Sequence, residues 1–190
     1  MGNSHHILVG LGGNLPSGYG SPVDTMREAV RVLGDEGLEN ISVSGLYQTT
    51  PVPVSEQPDF INCALAANTD LSADGLLLLF KETEQLLGRK PAERWSARTV
   101  DIDLLVYEQV ILPSPQAWNV VVHSDDPAAF LEQPVVPHPR LHKRAFVLVP
   151  LLDVAPDWRH PCLNITVTEM VKNAAIRVQA SDVRKISDIL

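Results

Sequence analysis

Long hydrophobic runs are missing: no stretch of aliphatic or aromatic residues exceeds five, as in Leu76–Phe80, against the ~18 to 20 that cross a bilayer. A membrane-spanning helix is therefore not expected. The opening MGNSHHILVG lacks a basic segment followed by a long apolar stretch and a small-residue cleavage site, so no secretory signal is expected and the cytoplasm is the expected compartment. Cysteine is nearly absent. Cys63 and Cys162 are the only two, too few for a disulfide framework, and Cys63 lies in an apolar alternating segment where a reduced thiol behaves as a small hydrophobe. Basic residues are the minority, 15 Lys and Arg against 23 Asp and Glu, giving a net charge of −8. That balance argues against nucleic acid or an anionic membrane as partner. Within it the basic residues are clustered. None occurs from Val32 to Phe80 or from Thr99 to Pro139, whereas eight of the fifteen (Lys81, Arg89, Lys90, Arg94, Arg98, Arg140, Lys143 and Arg144) fall in two segments. An acidic chain with two basic clusters implies a local site for an anion. Aromatic residues make up only 5%, so the positions of the few phenylalanines carry information.

The composition, 45% hydrophobic and 20% charged over 190 residues with mean hydropathy +0.03, is that of one globular domain. A single domain is expected over residues 1–190. His6 to Gly12 reads as a buried strand, and Ser21-Pro22 opens a helix whose apolar residues Val23, Met26, Val30 and Leu33 recur at helical spacing before Gly34. Ile41, Val43, Gly45 and Tyr47 mark a second strand and Ile61, Cys63, Leu65 and Ala67 a third, separated by a Pro-rich loop over Thr49–Pro58. Ser72 caps a second helix that Gly88 stops. Val100, Ile102, Leu104 and Val106 alternate through a fourth strand. The order βαββαβ predicts an α+β fold with a ferredoxin-like core and an antiparallel sheet. Pro113 to Pro139 holds six of the fifteen prolines and reads as an irregular excursion, with one extra strand at Trp118–His123 and an insertion over about 114–132. Phe146–Leu152 predicts a short helix interrupted at Pro150, Thr166 with Glu169 a capping box for another, and a C-terminal extension runs from about 162.

The sharpest chemical feature is Asp101-Ile102-Asp103 inside the fourth strand. Alternation puts both carboxylates on one face, roughly 6.5 to 7 Å apart, where like charges resist burial unless a cation joins them. Mg²⁺ prefers a few carboxylates plus substrate phosphates; the same pair also fits two exposed aspartates on the wet face of an edge strand. Arg89, Lys90, Arg94 and Arg98 precede it, suited either to phosphate or to pairing with Glu82, Glu84 and Glu93. No GxxxxGK[ST] motif is present, and Gly10-Leu-Gly-Gly13 is too short a pattern for a dinucleotide fold. In the second cluster, His138 between two prolines is the better ligand contact than His142, although the run also suits a surface loop. Phe60 and Phe146 each lie near a polar residue, Asn62 or Arg144, and could sandwich a flat heterocycle with Asn62 at its edge, or could be core.

Taken in order, Gly12-Gly13-Asn14-Leu15, Tyr47-Gln48-Thr49-Thr50-Pro51, Gln57-Pro58-Asp59-Phe60-Ile61-Asn62, Glu93-Arg94-Trp95-Ser96-Ala97-Arg98-Thr99-Val100-Asp101-Ile102-Asp103-Leu104-Leu105 and Val136-Pro137-His138-Pro139-Arg140-Leu141 resemble one family, 6-hydroxymethyl-7,8-dihydropterin pyrophosphokinase of folate biosynthesis. The resemblance runs from about Ile7 to Pro161. It implies an ATP-dependent diphosphotransferase that moves pyrophosphate to the pterin hydroxymethyl group and releases AMP, with ATP and the pterin as small-molecule partners and Mg²⁺, two ions, on Asp101 and Asp103. By the same resemblance Arg89, Arg98, Asp101 and Asp103 are catalytic. Phe60 and Phe146 stack on the pterin, with Gly12, Thr49, Thr50, Val52 and Asn62 around it. Arg89, Arg98 and His138 meet the triphosphate, Arg94 and Trp95 lie on a loop over it, and Glu84, Leu104 and Arg144 fall on the nucleotide side. A monomer is expected. The chain departs from the pattern in a slightly shorter Arg89–Ala92 loop with Lys90 for one arginine, in Ser96 where glycine is usual, and in a longer segment at Ser114–Glu132. A phosphotransferase for another small alcohol and a ferredoxin-like binding module without turnover are the competing readings; both metal carboxylates argue against the second.

Overall fold

β1 (His5–Gly13) is central because two strands pair with it, one on each edge, β4 (Phe60–Thr69) and β5 (Asp101–Tyr107), both antiparallel. The computed structural model describes residues 4–90, 96–123, 134–188 and 190. Its sheet runs β5-β1-β4-β3-β6, where β3 is Leu46–Thr49 and β6 is Arg184–Ser187, with β2 (Leu38–Val43) also paired to β4. That is the order of the expected ferredoxin-like core, the first strand lying between the third and the fourth, and the whole sheet is antiparallel. α1 (Pro22–Asp35) and α2 (Ala73–Leu86) cover one face, packing Met26, Leu33, Leu76 and Phe80 against Ile7, Val9, Leu11 and Leu65. Ser21 and Ser72 cap these helices as the sequence predicts, and Gly88 follows α2 with φ +85°, a conformation that favours glycine.

The other face is covered only in part. α4 (Ala145–Val154), α5 (Val167–Val171) and α6 (Ala174–Ala180) pack on Leu8, Ala64, Ala66, Leu105 and Val106. Beyond them the sheet surface at Gly10, Gly12, Asn62, Asp101 and Asp103 stays open as the floor of a cleft.

Three local expectations need correction, and the C-terminal extension contributes one further element. The second strand is two strands, β2 and β3 (Leu46–Thr49), because the Ser44 hydroxyl accepts from the Ala64 amide at 2.9 Å and donates to the Gly45 carbonyl at 2.7 Å, a side chain standing in the ladder. The strand expected at Trp118–His123 is a helix, α3 (Pro115–Val122); Ser114 caps it by accepting from the Ala117 amide, and Pro115 occupies its first turn, so local capping prevails over the β-branched run. The helix expected to break at Pro150 runs through it, held by apolar packing on both sides. The polar tail adds a strand, β6 (Arg184–Ser187), to the edge at β3. Gly45 makes room for it: a Cβ there would lie 2.7 Å from the Ser187 carbonyl oxygen. Thr166 and Glu169 form the expected capping box at α5, and both cysteines are free, Cys63 buried.

Candidate active site

Strand register builds the floor of the cleft. Gly12 stands between Asn62 of β4 and Asp101 of β5, and Gly10 between Ala64 and Asp103. Neighbouring strands are ~4.8 Å apart, so Asn62 and Asp101 face the same side roughly 10 Å apart, with only glycine between them. Gly12 is the tighter of the two: a Cβ there would sit 3.0 Å from Asn62 Oδ1, whereas one on Gly10 would meet the Leu105 side chain at an ordinary 3.4 Å. The cleft holds about 390 Å³, a size that takes a small organic ligand.

One half is lined by half-buried rings. Phe60 and Phe146 both line it, and the Arg144 guanidinium lies 5.5 Å from the centre of the Phe146 ring. Buried Asn62 donates through Nδ2 to Thr49 Oγ1 at 2.9 Å, which sets the plane of its amide. Thr50 and Val52 stand exposed at the mouth.

The other half is ionic. Asp101 accepts from Arg89 Nη1 at 2.5 Å on one oxygen and from Arg98 Nη1 at 2.7 Å on the other. Arg89 also pairs with Glu84, which accepts the Ile102 amide at 2.7 Å and so ties α2 to β5. Burial raises the Glu84 carboxyl to about 7, opposed by the Ile102 amide and Arg89. Asp103 is raised to about 6, first by burial and then by the charge of Asp101, while Arg144, Arg89 and Arg98 pull it down. A carboxylate crowded by another is relieved by a cation. Asp101 and Asp103 offer hard oxygen donors, and among the described residues no group of three or more His, Cys, Asp or Glu gathers into a metal cage; two carboxylates with substrate phosphates match how Mg²⁺ is commonly held. The residues fit that ion.

His138 closes the ionic half. Its amide donates to the Leu105 carbonyl at 2.8 Å, and its Nδ1 accepts from the Arg140 amide at 3.1 Å. The ring proton therefore lies on Nε2. Burial, with Arg144 and Arg140 nearby, holds the imidazole down to about 3, so it is a neutral hydrogen-bond donor at physiological pH.

The cleft thus brings together Gly12, Thr49, Thr50, Val52, Phe60, Asn62, Arg89, Arg98, Asp101, Asp103, His138, Arg144 and Phe146. Glu84 stands behind Arg89. Leu104 does not reach it: the side chain packs in the helix-side core, and Leu105, sharing the parity of the two aspartates, lines the cleft. Arg94 and Trp95 lie outside the described residues. Lys90 and Arg140, members of the two basic clusters, also line the cleft, as do Gly10 and Leu105, to which the sequence assigns no role; nor does it assign one to Asn14. Buried Asn14 accepts the Arg98 amide at 2.9 Å and donates to the Pro58 carbonyl at 3.0 Å, joining the segment of Arg98 to the loop before Phe60. Its place directly after Gly12-Gly13 was the available signal.

The raised Glu84 gives a pH signature. A carboxyl with a higher pKa in the folded state keeps a proton that the unfolded chain has lost, so its contribution to stability falls as pH rises between its ordinary 4.5 and about 7. The lowered imidazoles of His138, His142 and His160 slope the other way, so the difference from Glu84→Gln isolates the effect. Wild-type stability should fall relative to Glu84→Gln across pH 4.5 to 7 and level off above, measured by urea unfolding; parallel curves would refute the raised carboxyl.

Residues 8–156 match the family model described as 7,8-dihydro-6-hydroxymethylpterin-pyrophosphokinase. The chain is 33% identical over 150 residues to the mitochondrial folate synthesis bifunctional protein of Arabidopsis thaliana, covering 79% of this chain and 23% of that one; it spans about a quarter of that relative's length. It is 30% identical over 168 residues to the 2-amino-4-hydroxy-6-hydroxymethyldihydropteridine pyrophosphokinase of Haemophilus influenzae, covering 88% of this chain and 91% of the other. A Plasmodium falciparum HPPK-DHPS crystal structure with pterin and p-hydroxybenzoate superposes with TM-score 0.66 at 15% identity, covering 98% of this chain and 48% of that one; this likeness speaks for the fold alone.

Proposed function

The chain belongs to the 7,8-dihydro-6-hydroxymethylpterin-pyrophosphokinase family, and we propose that its cleft transfers the terminal pyrophosphate of ATP to the hydroxymethyl group of 6-hydroxymethyl-7,8-dihydropterin. The observation that carries this reading is the row Asn62–Gly12–Asp101, which seats a ring-lined half and an anion-binding half on one glycine floor. The pterin ring lies between Phe60 and Phe146 with its hydrogen-bonding edge on Asn62, and the triphosphate lies over Asp101, Asp103, Arg89, Arg98 and His138. The pterin hydroxyl oxygen bonds to the β-phosphorus, the bond from that phosphorus to the α,β-bridging oxygen breaks, and AMP leaves with the electron pair as the hydroxyl proton is released.

Asp101 and Asp103 would hold Mg²⁺, two ions on our reading; when bound, the metal neutralises phosphate oxygens and draws charge from the reacting phosphorus. Arg89 and Arg98 are paired to Asp101 in the free protein and exchange that carboxylate for phosphate oxygens when the nucleotide enters, so the site stays close to neutral in both states. His138 donates Nε2–H to phosphate without adding charge. Glu84 fixes Arg89 from behind. No side chain of the cleft stands out as a strong base, so orientation and fixed charge carry the acceleration.

Removing one ring tests the division of the cleft. Phe60→Ala should weaken pterin binding on the order of tenfold, by loss of stacking and buried area, and leave ATP·Mg²⁺ binding within about twofold; equal losses for the two ligands in calorimetric titrations would remove the stacking role. Thermal shift with ATP·Mg²⁺ and a panel of pterins distinguishes this acceptor from another small alcohol, for which no pterin would raise the midpoint.

A further inference from the structure

The cleft wall that carries His138, Arg140 and Arg144 is braced from behind by α3, a helix with no part in the reaction above. α3 fully buries Trp118 and nearly buries Val122, in a small apolar cluster with Val135 and Leu163. Trp118 Nε1 donates to the Pro137 carbonyl at 2.6 Å. That carbonyl and the His138 amide belong to the same peptide unit, and the amide donates to the Leu105 carbonyl at 2.8 Å. A planar peptide held by a hydrogen bond at each end cannot turn. With the indole N–H removed, this peptide unit keeps only one of its two hydrogen bonds, that to Leu105, and the Pro137 oxygen is left as a buried acceptor without this donor. The indole is itself held in place, its ring centre 5.1 Å from that of His160 and 6.3 Å from that of His142. α3 meets the wall a second time where Lys143 Nζ donates to the Val122 carbonyl at 2.9 Å, in the last turn of the helix.

We propose that Trp118 is a positioning residue for the nucleotide-facing wall: through the Pro137 carbonyl its indole N–H sets where the His138 Nε2–H stands. The proposal rests on reading the His138 side of the cleft as the triphosphate side. It gives a task to α3, within the longer segment that the sequence resemblance marks as a departure from the family pattern.

The test is a double-mutant cycle read by titration with ATP·Mg²⁺. Trp118→Phe keeps a ring in the cluster and removes the donor. It should raise the Kd for ATP·Mg²⁺ about fivefold in the wild-type background and less than about twofold in a His138→Ala background, because the effect runs through that imidazole. The same factor in both backgrounds, or none in either, overturns the proposal. The ring ¹⁵N–¹H correlations of His138 supply a readout that needs no nucleotide: they should move in Trp118→Phe, and an unmoved signal overturns the positioning role. Failure of the parent protein to bind ATP·Mg²⁺ while the ring signal moves would instead refute the triphosphate assignment and, with it, the nucleotide-facing role given to Trp118. Should Trp118→Phe fail to fold, Lys143→Gln loosens the second contact; it should weaken ATP·Mg²⁺ binding, Lys143→Arg should restore it, and the absence of both effects overturns the brace.

Discussion

Asp103→Asn is expected to lower kcat on the order of 100- to 1000-fold and to leave the melting temperature unchanged or raised. The two effects have one cause. The Asp103 carboxylate is half-buried beside Asp101, and that burial and the neighbouring like charge push its pKa up; the neutral, nearly isosteric amide removes that cost together with the charge that would hold the metal. Asp101→Asn should behave differently. Asp101 neutralises both Arg89 and Arg98, so the amide leaves two half-buried guanidinium groups without that countercharge, and stability falls along with turnover. Steady-state kinetics and thermal melts on the two variants check both statements. Turnover within tenfold of wild type for Asp103→Asn would refute the metal-binding assignment, and equal stability changes for the two variants would refute the account of the charges.

Gly13→Ala should damage fold and site together. A Cβ on Gly13 would lie 2.3 Å from the Thr99 carbonyl oxygen and 3.0 Å from its carbon, and backbone atoms cannot swing aside as a side chain does. The displaced segment is the one whose Arg98 carbonyl accepts the Asn14 and Leu15 amides at 3.0 and 3.1 Å. A single methyl group therefore pushes the Arg98 backbone away from β1. The expected loss of stability is about 1 to 3 kcal/mol, with weakened ATP·Mg²⁺ binding as Arg98 moves. A shifted urea midpoint with a fall in nucleotide affinity is the expected result; wild-type values for both would show that the close approach to Thr99 is not needed.

Much of the core was legible because its signals are local. Ser21, Ser72 and Thr166 announce helix starts through their hydroxyls, and alternation in β4 and β5 marks the central strands. What was not legible depends on contacts far along the chain. Ile41, Val43, Gly45 and Tyr47 keep a perfect two-residue period through the break between β2 and β3, since the break is made by Ser44 reaching to Ala64. β6 is short and polar, and forms only because Gly45 leaves room at the sheet edge. In the helix α3 the β-branched run Val120–Val122 pointed to a strand, and the Ser114-Pro115 cap in front of it was the better guide. The charged part of the site followed from Asp101-Ile102-Asp103 and the arginines before it. Asn14 escaped notice because its work is done on backbone groups more than forty residues away in sequence, Pro58 and Arg98. The Leu104 side chain faces the helix-side core, and the residue in phase with the two aspartates is Leu105.

The most direct test is to incubate the protein with ATP and Mg²⁺, with and without 6-hydroxymethyl-7,8-dihydropterin, following the nucleotide product by chromatography and the pterin product by mass. The expected result is AMP formed only when the pterin is present, in equal amount to pterin diphosphate. ADP with a pterin monophosphate, or AMP formed at the same rate without pterin, would contradict pyrophosphoryl transfer in this cleft.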